Sequence, residues 1–580
     1  MSRSGICCHF RLLLILVLLL LAGDGTSQAA TTGDRETLLA IKKDWGNPQQ
    51  LASWDPATDD HCRWSGVTCE TVGEVVVELS LASLNLSGSV PASVCALKSL
   101  ARLDLSYNNL TGAFPAAALY ACARLRFLDL SNNRFSGPLP AGIDNLSRAM
   151  EHLNLSSNHF GGEVPAAVTR LRTLNMNLTG EIPEAFANLT ELTVFAMDSN
   201  YLSGSMPSWV WQHGKLQDVY LYDNNLSGEL TRNVTAANLV ELDLSTNKLA
   251  GEIPESFGNL KNLALMFLYN NNFTGTIPAS IGLLPRLNDI RLFSNQLSGQ
   301  LPPELGKHAP LRCLKVSENN LSGPLPDTLC FNGNLYDIVA FNNRFSGVLP
   351  LNLGDCVLLK NLMLSNNRFS GDFPAKMWSL PELIDVSIQN NSFTGTLPGE
   401  MSSTISWIKI SDNMFSGSVP KSATGLVVFH AANNRLTGEL PADMSKFANL
   451  TELMLYNNHL SGDLPAMMWS LPKLNLVWIQ NNSFTGTLPR ELSSTILWIE
   501  ISDNMFSGSV PKSATGLVVF RAENNRLTDE LPADMSKLAN LEELSLSGNM
   551  ITGFIPKSIV LLQKLTRLDL SGNRISGVLP

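Results

Sequence analysis

Apolar residues recur along this chain with a spacing that neither a single helix nor a plain strand explains. In Leu450–Pro465, read as LTELMLYNNHLSGDLP, the leucines follow one another at intervals of three, two, five and four residues. The Leu453–Leu455 segment alternates as a strand does, which predicts two inward leucines, an outward residue between them and Tyr456 outward after them. Asn458 is expected to bond backbone groups of its own coil and the next one, and Gly462 to turn the chain back. The stretch therefore predicts one coil of a solenoid.

This coil pattern is repeated along nearly the whole chain and matches L-x-x-L-x-L-x-x-N-x-L-x-G-x-L/I-P, the leucine-rich repeat. The glycines of successive copies, such as Gly251, Gly275 and Gly299, mostly lie 24 residues apart, and Asp529 takes the glycine place in one copy. About 22 repeats are predicted. Because one coil cannot bury its own leucines, neighbouring coils must stack. The sequence thus predicts an α/β solenoid with a parallel β-sheet on its concave face.

Three segments are predicted along the chain. Residues 1–30 have the features of a secretory signal peptide, since two arginines precede the apolar run Leu12–Ala22 and small residues follow it. A membrane anchor is the alternative, but the run is shorter than the roughly 20 residues that span a bilayer. Residues 31–75 are predicted to cap the first coil, with a helix at Asp34–Trp54 that its first residue would cap. Residues 76–580 are predicted to form the solenoid.

Two irregularities interrupt the repeats. Gly162 and Gly180 are only 18 residues apart, which is too short for a full coil, so an irregular coil or a kink is predicted near residues 165–180. The segment Met377–Asn449 is repeated almost unchanged as Met468–Asn540, at an offset of 91 residues. That offset equals four whole repeats, so the register of the solenoid is expected to survive the duplication.

The composition excludes several classes of function. Charged residues make up 16% of the 580 residues and the net charge is −10, without a basic run, which argues against nucleic acid as a partner. No H-E-x-x-H, G-x-S-x-G or protein-kinase motif occurs. Single carboxylates on the strand face, such as Asp243, are more often solvated than catalytic. The chain is therefore predicted not to be an enzyme and to need no cofactor or metal.

Seven cysteines follow the predicted signal segment. Cys62 and Cys69, in HCRWSGVTC, are predicted to form one disulfide. Two further pairs hold nearly the same place on adjacent coils, where strands about 4.8 Å apart bring them within disulfide reach. These pairs are Cys95 with Cys122 and Cys330 with Cys356. Reduced buried thiols are the alternative for them, Cys313 is left unpaired, and none of the spacings matches a zinc site.

Outward positions of the middle strands are unusually aromatic and carry a few charges. Aromatic side chains provide contact area at low entropic cost, and an arginine provides a fixed charge for a carboxylate. We therefore predict a ligand-binding surface on the concave face, with scattered surface aromatics as the alternative. Its residues are Tyr220, Tyr222, Phe267, Tyr269, Asp289, Arg291, Phe293, Lys315, Asp337 and Phe341. Trp407 and Trp498 also point outward, either as a contact site or as a cover for a loosely packed coil.

N-x-S/T sequons are dense along the chain. Several stand directly after the asparagine of the repeat, where the Ser or Thr serves turn chemistry as readily as glycosylation, so about half are expected to carry a glycan. The predicted acceptors are Asn85, Asn109, Asn145, Asn154, Asn188, Asn225, Asn233, Asn272, Asn320, Asn390, Asn449 and Asn481, and a further sequon stands at Asn177.

The segment DRETLLAIKKDWGNPQQLASWDP…CRWSGVTC resembles the N-terminal cap of plant extracellular leucine-rich-repeat proteins, and the xLxGxIP half of each repeat resembles the plant-specific subclass. The resemblance covers residues 34–580 and is nearest to the ectodomains of HAESA-like receptor kinases. It implies a right-handed superhelix that binds a small secreted peptide on its concave face, with a co-receptor kinase as partner. Such receptors often hold the peptide carboxylate with an R-x-R pair on a late concave strand, where this chain has Ser387 and Gln389.

Relatives of this class continue into a membrane helix and a Ser/Thr kinase. This sequence is therefore expected to be the ectodomain portion of a longer protein, located at the cell surface or in the apoplast. Two alternatives remain open. One is a soluble apoplastic protein of the polygalacturonase-inhibitor type, which is similar in cap and repeats but shorter. The other is a truncated, non-signalling gene product, which the short repeat and the duplication would fit.

Overall fold

A computed structural model of the chain describes residues 28–71, 74–147, 149–150, 152–155, 157–163, 177–188 and 192–580. These residues form two compact units. The first contains the described part of Met1–Arg134 and Asn145–Met150, and the second that of Phe135–Asp144 and Glu151–Pro580. The predicted signal peptide and most of the predicted irregular coil near residues 165–180 lie outside the described residues.

The first unit begins with a helix that is followed by short strands. Its α-helices are Gln28–Asp44 and Ala116–Leu119, and its 3-10 helices are Gln49–Leu51, His61–Arg63 and Ala92–Ala96. Strand Val67–Cys69 pairs antiparallel with Val76–Ser80, after which Arg102–Asp104 and Phe127–Asp129 continue the sheet in parallel. Later in the same coils, Ser87–Gly88 pairs in parallel with Asn109–Gly112.

The cap helix ends ten residues earlier than the predicted helix Asp34–Trp54, at Asp44. Gly46 and Asn47 take left-handed φ angles of 77° and 55°, and Pro48 follows them. Residues with a left-handed φ close the last turn of a helix, and a proline cannot continue one. Gly46, Asn47 and Pro48 therefore end the helix.

Asp34 lies inside the helix Gln28–Asp44 and is not its N-cap, so that prediction is wrong. Its carboxylate accepts a hydrogen bond from the backbone N–H of Val76 at 2.9 Å. Leu38 and Ile41, on the apolar side of the helix, are fully buried. The aspartate therefore fastens the cap to the first strand of the repeats.

The second unit contains a parallel sheet of seventeen strands, one for each coil. Side chains on one side of it form the core, and we call the opposite, outward side the sheet face. In order, the strands are Val194–Ala196, Asp218–Tyr220, Glu241–Asp243, Leu265–Phe267, Asp289–Arg291, Cys313–Lys315, Asp337–Val339, Asn361–Met363, Asp385–Ser387, Trp407–Lys409, Val428–His430, Glu452–Met454, Leu476–Trp478, Trp498–Glu500, Val519–Arg521, Glu543–Ser545 and Arg567–Asp569.

Later in most coils a second short strand pairs in parallel with its neighbours. These strands are His159–Glu163, Asn177–Glu181 and Tyr201–Ser203; Ser227–Glu229, Lys248–Glu252 and Asn272–Thr274; Ser298–Gly299, Asn320–Gly323, Arg344–Gly347, Arg368–Asp372 and Ser392–Thr394; Ser416–Gly417, Arg435–Gly438, His459–Asp463 and Ser483–Thr485; and Ser507–Gly508 with Arg526–Leu527. Strand His152–Asn154 also belongs to this unit, and strand Arg134–Gly137 and the 3-10 helix Ile143–Asn145 include residues of both units.

Most coils return through one turn of 3-10 helix, which starts directly after the proline of the repeat in many of them. These helices are Glu184–Asn188, Ser208–Gln212, Glu255–Asn259, Ala279–Leu283, Leu351–Asp355, Ala375–Ser379, Met444–Phe447, Ala466–Ser470, Ser536–Leu538 and Lys557–Leu561. Among the described residues, no helix combines the length and apolar character that crossing a membrane requires.

Buried asparagines hold the coils together, as Asn458 shows. Its Nδ2 donates to the carbonyls of Leu455 and Tyr456 in its own coil and of Ala431 in the preceding one, at 2.9–3.2 Å. Its Oδ1 accepts the backbone N–H of Leu436 at 2.9 Å. The amide role is as predicted, but the partner is the preceding coil and not the next one. The predicted leucine-rich-repeat solenoid with a parallel sheet is thereby confirmed.

The two copies of the duplicated segment keep the same core. Phe429 and Phe520 are each 2% exposed, and Trp378 and Trp469 are likewise buried. Twelve residue pairs differ between the copies, and five of them lie on the outward side of the sheet strands or just after the strands. The outward pairs that differ are Asp385/Leu476, Ser387/Trp478, Lys409/Glu500, His430/Arg521 and Ala432/Glu523. The duplication therefore preserves the fold and presents two different surfaces.

Candidate functional site

The ten residues predicted to bind a ligand lie together on the sheet face of the second unit, on strands Asp218–Tyr220 through Asp337–Val339 or directly after them. We call them the sheet-face cluster. Nine of the ten are half-buried, and Asp337 is only 7% exposed. The strands that carry them are hydrogen-bonded neighbours in unbroken register, so outward residues of successive coils stand side by side.

Arg291 is the centre of the cluster. Its Nε and Nη2 donate to the two carboxylate oxygens of Asp289 at 3.0 and 2.8 Å. Its guanidinium carbon lies 4.4 Å from the centroid of the Phe267 ring in the preceding coil. The hydrogen bonds with Asp289 raise the pKa of Arg291, so the group stays charged. Arg291 is a cation held in one orientation, with Nη1 making no hydrogen bond to a described residue.

Next to this arginine, Tyr269 and Phe293 form an aromatic pair on adjacent coils. Their ring centroids are 4.3 Å apart and the planes are inclined by 11°, which is a stacked arrangement. Such pairs are worth about 0.5–1.5 kcal/mol beyond the area they bury. Phe341 is half-buried two coils further on, and it makes no ring contact with a described residue. The stacked pair therefore provides a rigid aromatic surface beside the cation.

Carboxylates of neighbouring coils bind both tyrosines at the start of the cluster. Tyr220 donates its hydroxyl to Glu241, and Tyr222 donates to Asp198. Burial, together with these hydrogen bonds, raises the pKa of both phenols. Burial likewise raises the pKa of Asp198 and Asp243. This end of the cluster is acidic and hydrogen-bonded throughout.

The other end of the cluster is an ion pair supported by an amide. Lys315 Nζ lies 3.3 Å from the carboxylate of Asp337, which also accepts a hydrogen bond from Asn361 Nδ2 at 2.6 Å. The buried thiol of Cys313 is 4.0 Å from the same carboxylate. Burial raises the pKa of this thiol to about 12. The thiol is therefore buried beneath this ion pair and favours its protonated form.

Three residues that hold the cluster in place, namely Asp198, Glu241 and Asn361, were missed by sequence reasoning. Each is an outward residue one coil away from its partner, 20 to 25 positions distant in the sequence. For Asp198 and Asn361 the signal is a donor and an acceptor at equal positions of neighbouring coils, because such positions are adjacent in a parallel sheet. Glu241 lies diagonally from Tyr220, two residues from the position directly opposite, and equal positions would not have identified it.

A second aromatic region lies in the later strands. Trp407 is 39% exposed, as its outward prediction required. Trp498 is half-buried, lies 5.5 Å from Trp478 edge to face, and is covered by Arg521 with its guanidinium carbon 5.9 Å from the ring centroid. Tyr456 lies 6.4 Å from Trp478. The duplicated tryptophans thus have different surroundings in the two copies.

The positions comparable to an R-x-R pair hold no cation. Ser387 is 5% exposed and donates to Asp385, and Gln389 is half-buried. A ligand carboxylate placed here would find no positive partner at these two residues. Arg291, four strands earlier in the same sheet, is a cation that the cluster itself supplies.

The six paired cysteines form disulfides in the combinations named from the sequence. The Cα–Cα distances are 5.5 Å for Cys62–Cys69, 4.8 Å for Cys95–Cys122 and 5.9 Å for Cys330–Cys356. Cys313 is unpaired and buried among the described residues.

Most predicted glycan acceptors are exposed. Exposed side chains are Asn85, Asn145, Asn225, Asn233, Asn272, Asn320, Asn390 and Asn481; Asn109, Asn154 and Asn449 are half-buried; and the side chains of Asn177 and Asn188 lie outside the described part of the chain.

Three features define a leucine-rich-repeat protein: the stacked coils, the disulfide-bonded cap, and the row of asparagines that bond each coil to the preceding one. We call this row the asparagine ladder. Family profiles agree: the leucine rich repeat N-terminal domain matches residues 32–70, and leucine rich repeat profiles match residues 75–135, 149–171, 237–297, 449–471 and 515–575. Among solved structures, the Arabidopsis receptor kinase HAESA ectodomain is similar with a TM-score of 0.85 and 30% identity, covering 95% of each chain. The PEPR1 ectodomain is similar with a TM-score of 0.84 and 31% identity, covering 94% of this chain and 79% of that one.

The chain belongs to the family of plant leucine-rich-repeat receptor-like kinase ectodomains. Curated relatives match over shorter stretches. The receptor-like kinase GSO2 of Arabidopsis thaliana is 34% identical over 108 residues, which are 18% of this chain and 8% of GSO2. Polygalacturonase inhibitor 2 of Phaseolus vulgaris is 40% identical over 106 residues, 17% of this chain and 31% of the inhibitor. The matched stretch is thus a small part of each curated relative.

Proposed function

We propose that this chain is the ligand-binding ectodomain of a plant receptor-like kinase, and that it recognises a secreted peptide on the sheet-face cluster. The observation that carries the proposal is the fixed cation at Arg291, held by Asp289 over Phe267 and flanked by the stacked Tyr269–Phe293 pair. A rigid aromatic surface with one oriented charge binds an extended peptide at low entropic cost.

The solved relatives support a peptide ligand. The PEPR1 structure contains AtPEP1, the HAESA structure contains the IDA peptide hormone, and the RGFR1 structure contains RGF2. A further HAESA structure contains the co-receptor SERK1. By analogy, we propose that the present chain signals through the ectodomain of a partner kinase at the cell surface, and that it performs no catalysis itself. Residues 1–30 would direct secretion, residues 31–75 cap the solenoid and residues 76–580 carry recognition.

The proposal is tested by placing a glycan on the sheet face. The variant Asp243→Asn creates the sequon N-L-S with Leu244 and Ser245, on the strand between Tyr220 and Phe267. The matched control is the double variant Asp243→Asn with Ser245→Ala, which has the same asparagine and no sequon. The three proteins are secreted from plant cells, immobilised and exposed to extracellular peptides, and the captured peptides are identified, resynthesised and titrated.

We expect a peptide that binds the parent and the control and is lost from the glycan-bearing variant. Equal binding to all three proteins would place recognition elsewhere. The second candidate, a polygalacturonase inhibitor, is favoured by the 40% identity to the Phaseolus inhibitor. Inhibition of a fungal polygalacturonase without capture of any peptide would support that candidate instead.

A further inference from the structure

Three sequon asparagines form a row along one edge of the second unit. Each of Asn225, Asn272 and Asn320 directly follows the asparagine that bonds its coil to the preceding one, and the three lie in alternate coils. The coils between them have Lys248 and Gln296 at the same place. The second strands pair with a stagger of two residues, so that Ser227 lies opposite Lys248 and Ala250 lies opposite Asn272, and the row crosses the coils obliquely.

The local backbone explains why these asparagines face solvent. The chain is extended here, so neighbouring side chains point to opposite sides. Asn271 is 7% exposed and bonds the ladder, Asn272 is exposed, and Phe273 is fully buried. Thr274, the hydroxyl residue of the sequon, is half-buried on the same side as Asn272. The side-chain amides of the three row members make no hydrogen bond to a described residue.

Asn449 offers an internal contrast, because it also stands in a sequon. Its Nδ2 donates to the carbonyl of Thr424 at 3.1 Å, and its Oδ1 accepts Lys473 Nζ at 2.7 Å. The sequon hydroxyl, Thr451 Oγ1, donates to the carbonyl of Val427 at 3.0 Å. Asn540, at the equivalent place in the second copy, makes the same two amide contacts and has no sequon. This position therefore serves to join coils.

We propose that Asn225, Asn272 and Asn320 are N-glycosylated, so that glycans cover one edge of the coils that carry the sheet-face cluster, and that Asn449 stays unmodified. In the transfer, the bond between sugar C1 and the pyrophosphate of a lipid-linked oligosaccharide breaks, and the pyrophosphate leaves with the electron pair. A C1–Nδ2 bond forms, and the amide loses one proton. The exposed, unbonded amides of the row can carry this group without disturbing a coil.

The row leaves the recognition surface open. None of the seventeen strands of the sheet contains a sequon asparagine, so no glycan is attached within the sheet face. Each row asparagine follows its strand by five residues, on strands that hold Tyr220, Phe267 and Lys315. A partner that reaches these coils must therefore approach from the face or from the other edge.

The test is a site-by-site measurement of glycan occupancy on the full chain secreted from plant cells. Peptides are treated with peptide N-glycosidase A in H2(18)O, which marks each released site, and are then read by mass spectrometry. We expect marking of Asn225, Asn272 and Asn320 in most molecules and of Asn449 in few. Occupancy of Asn449 equal to that of Asn272, or an unmarked row, would overturn the proposal.

Two variants separate modification from folding. Asn272→Gln should remove one glycan, seen as a single step in gel mobility, and leave the melting temperature unchanged. Asn449→Gln should leave the mobility unchanged and lower the melting temperature, because two contacts between coils are lost. The reverse assignment of the two effects would contradict the proposed roles.

Discussion

The guanidinium carbon of Arg291 lies 4.4 Å from the centroid of the Phe267 ring, while Asp289, two residues earlier on the same strand, binds two of its nitrogens. The aromatic ring comes from one coil and the carboxylate from the next. The arginine is therefore oriented before any ligand arrives, and the entropic cost of fixing a long side chain has been met during folding.

Removing either member of this pair should weaken ligand binding. We expect Phe267→Ala and Arg291→Ala each to cost about 1 kcal/mol or more. The double variant should cost less than the sum, because each residue positions the other. Titration with the peptide captured by the parent protein gives the values.

Met363→Ala is the matched control, since Met363 is a half-buried outward residue of the same sheet beyond the cluster. Its affinity should equal that of the parent. If Phe267→Ala binds as tightly as this control, the cluster is not the binding site.

The asparagine ladder should dominate local stability. Asn458→Ala removes four hydrogen bonds and leaves the backbone N–H of Leu436 without a partner, while the carbonyl of Ala431 keeps the donor Asn434 Nδ2. An unsatisfied buried group costs about 1–3 kcal/mol, so a loss in that range is expected. Thermal unfolding followed by circular dichroism measures it.

The neighbouring Asn457 is exposed, with a left-handed φ of 56°, and its Nδ2 donates to Asn433 Oδ1. Asn457→Gly keeps that backbone conformation available and should change the melting temperature little. Equal destabilisation by Asn457→Gly and Asn458→Ala would show that the buried amide is not what joins the coils.

A pH dependence is expected from His430, whose Nε2 lies 2.8 Å from Glu452 Oε2. Burial lowers its pKa from 6.5, although the hydrogen bond to Glu452 opposes the shift and Lys409 adds to it. As the pH falls below 6.5, the unfolded chain takes up a proton that the folded imidazole resists. Stability from this residue is therefore complete above pH 6.5 and lost below it.

The measurement is the difference in melting temperature between parent and His430→Gln at pH 7.5 and pH 5.5. Relative to the parent, the variant should gain stability at the lower pH. Arg521→Gln, at the equivalent place in the second copy, replaces a group that does not titrate, and is the control. If the melting temperatures of parent and His430→Gln differ by the same amount at both pH values, His430 does not contribute to the pH dependence of stability.

Cys313 should resist alkylation in the folded protein. Burial raises the pKa of its thiol to about 12, and only the thiolate reacts. At pH 8, iodoacetamide should label the Cys313 peptide slowly in the native state and rapidly in denaturant, as read by mass spectrometry. Equal rates in the two states would show that the thiol is exposed.

The repeat could be predicted in detail because each coil carries its own local sequence signals. Leucine spacing, ladder asparagine and turning glycine are local features, and neighbouring coils confirm one another. The cap helix was extended too far because its apolar residues continue to Leu51, while Gly46, Asn47 and Pro48 end the helix. Backbone geometry at these three positions outweighed the apolar pattern.

The cluster could be located from the sequence, but its internal bonding could not. Outward positions place Tyr220 and Arg291 on the same face of the sheet, yet whether Tyr220 bonds Glu241 depends on side-chain reach across coils. The direction of the Asn458 contacts was missed for the same reason: register between coils is a property of the packed structure. Sequence reasoning treated the aromatics as exposed, whereas all of them are half-buried, and Tyr269 and Phe293 stack on each other.

The tandem duplication adds four coils whose hydrogen bonds are satisfied by adjacent coils alone. An insertion of whole coils therefore requires no compensating change at either junction, and the seventeen-stranded sheet passes through both copies without a break. Within the added length, outward residues such as Trp478 and Arg521 were free to diverge while Phe520 kept its place inside. A solenoid can therefore gain new outward side chains by the insertion of whole coils, while the outward side chains of its existing coils stay unchanged.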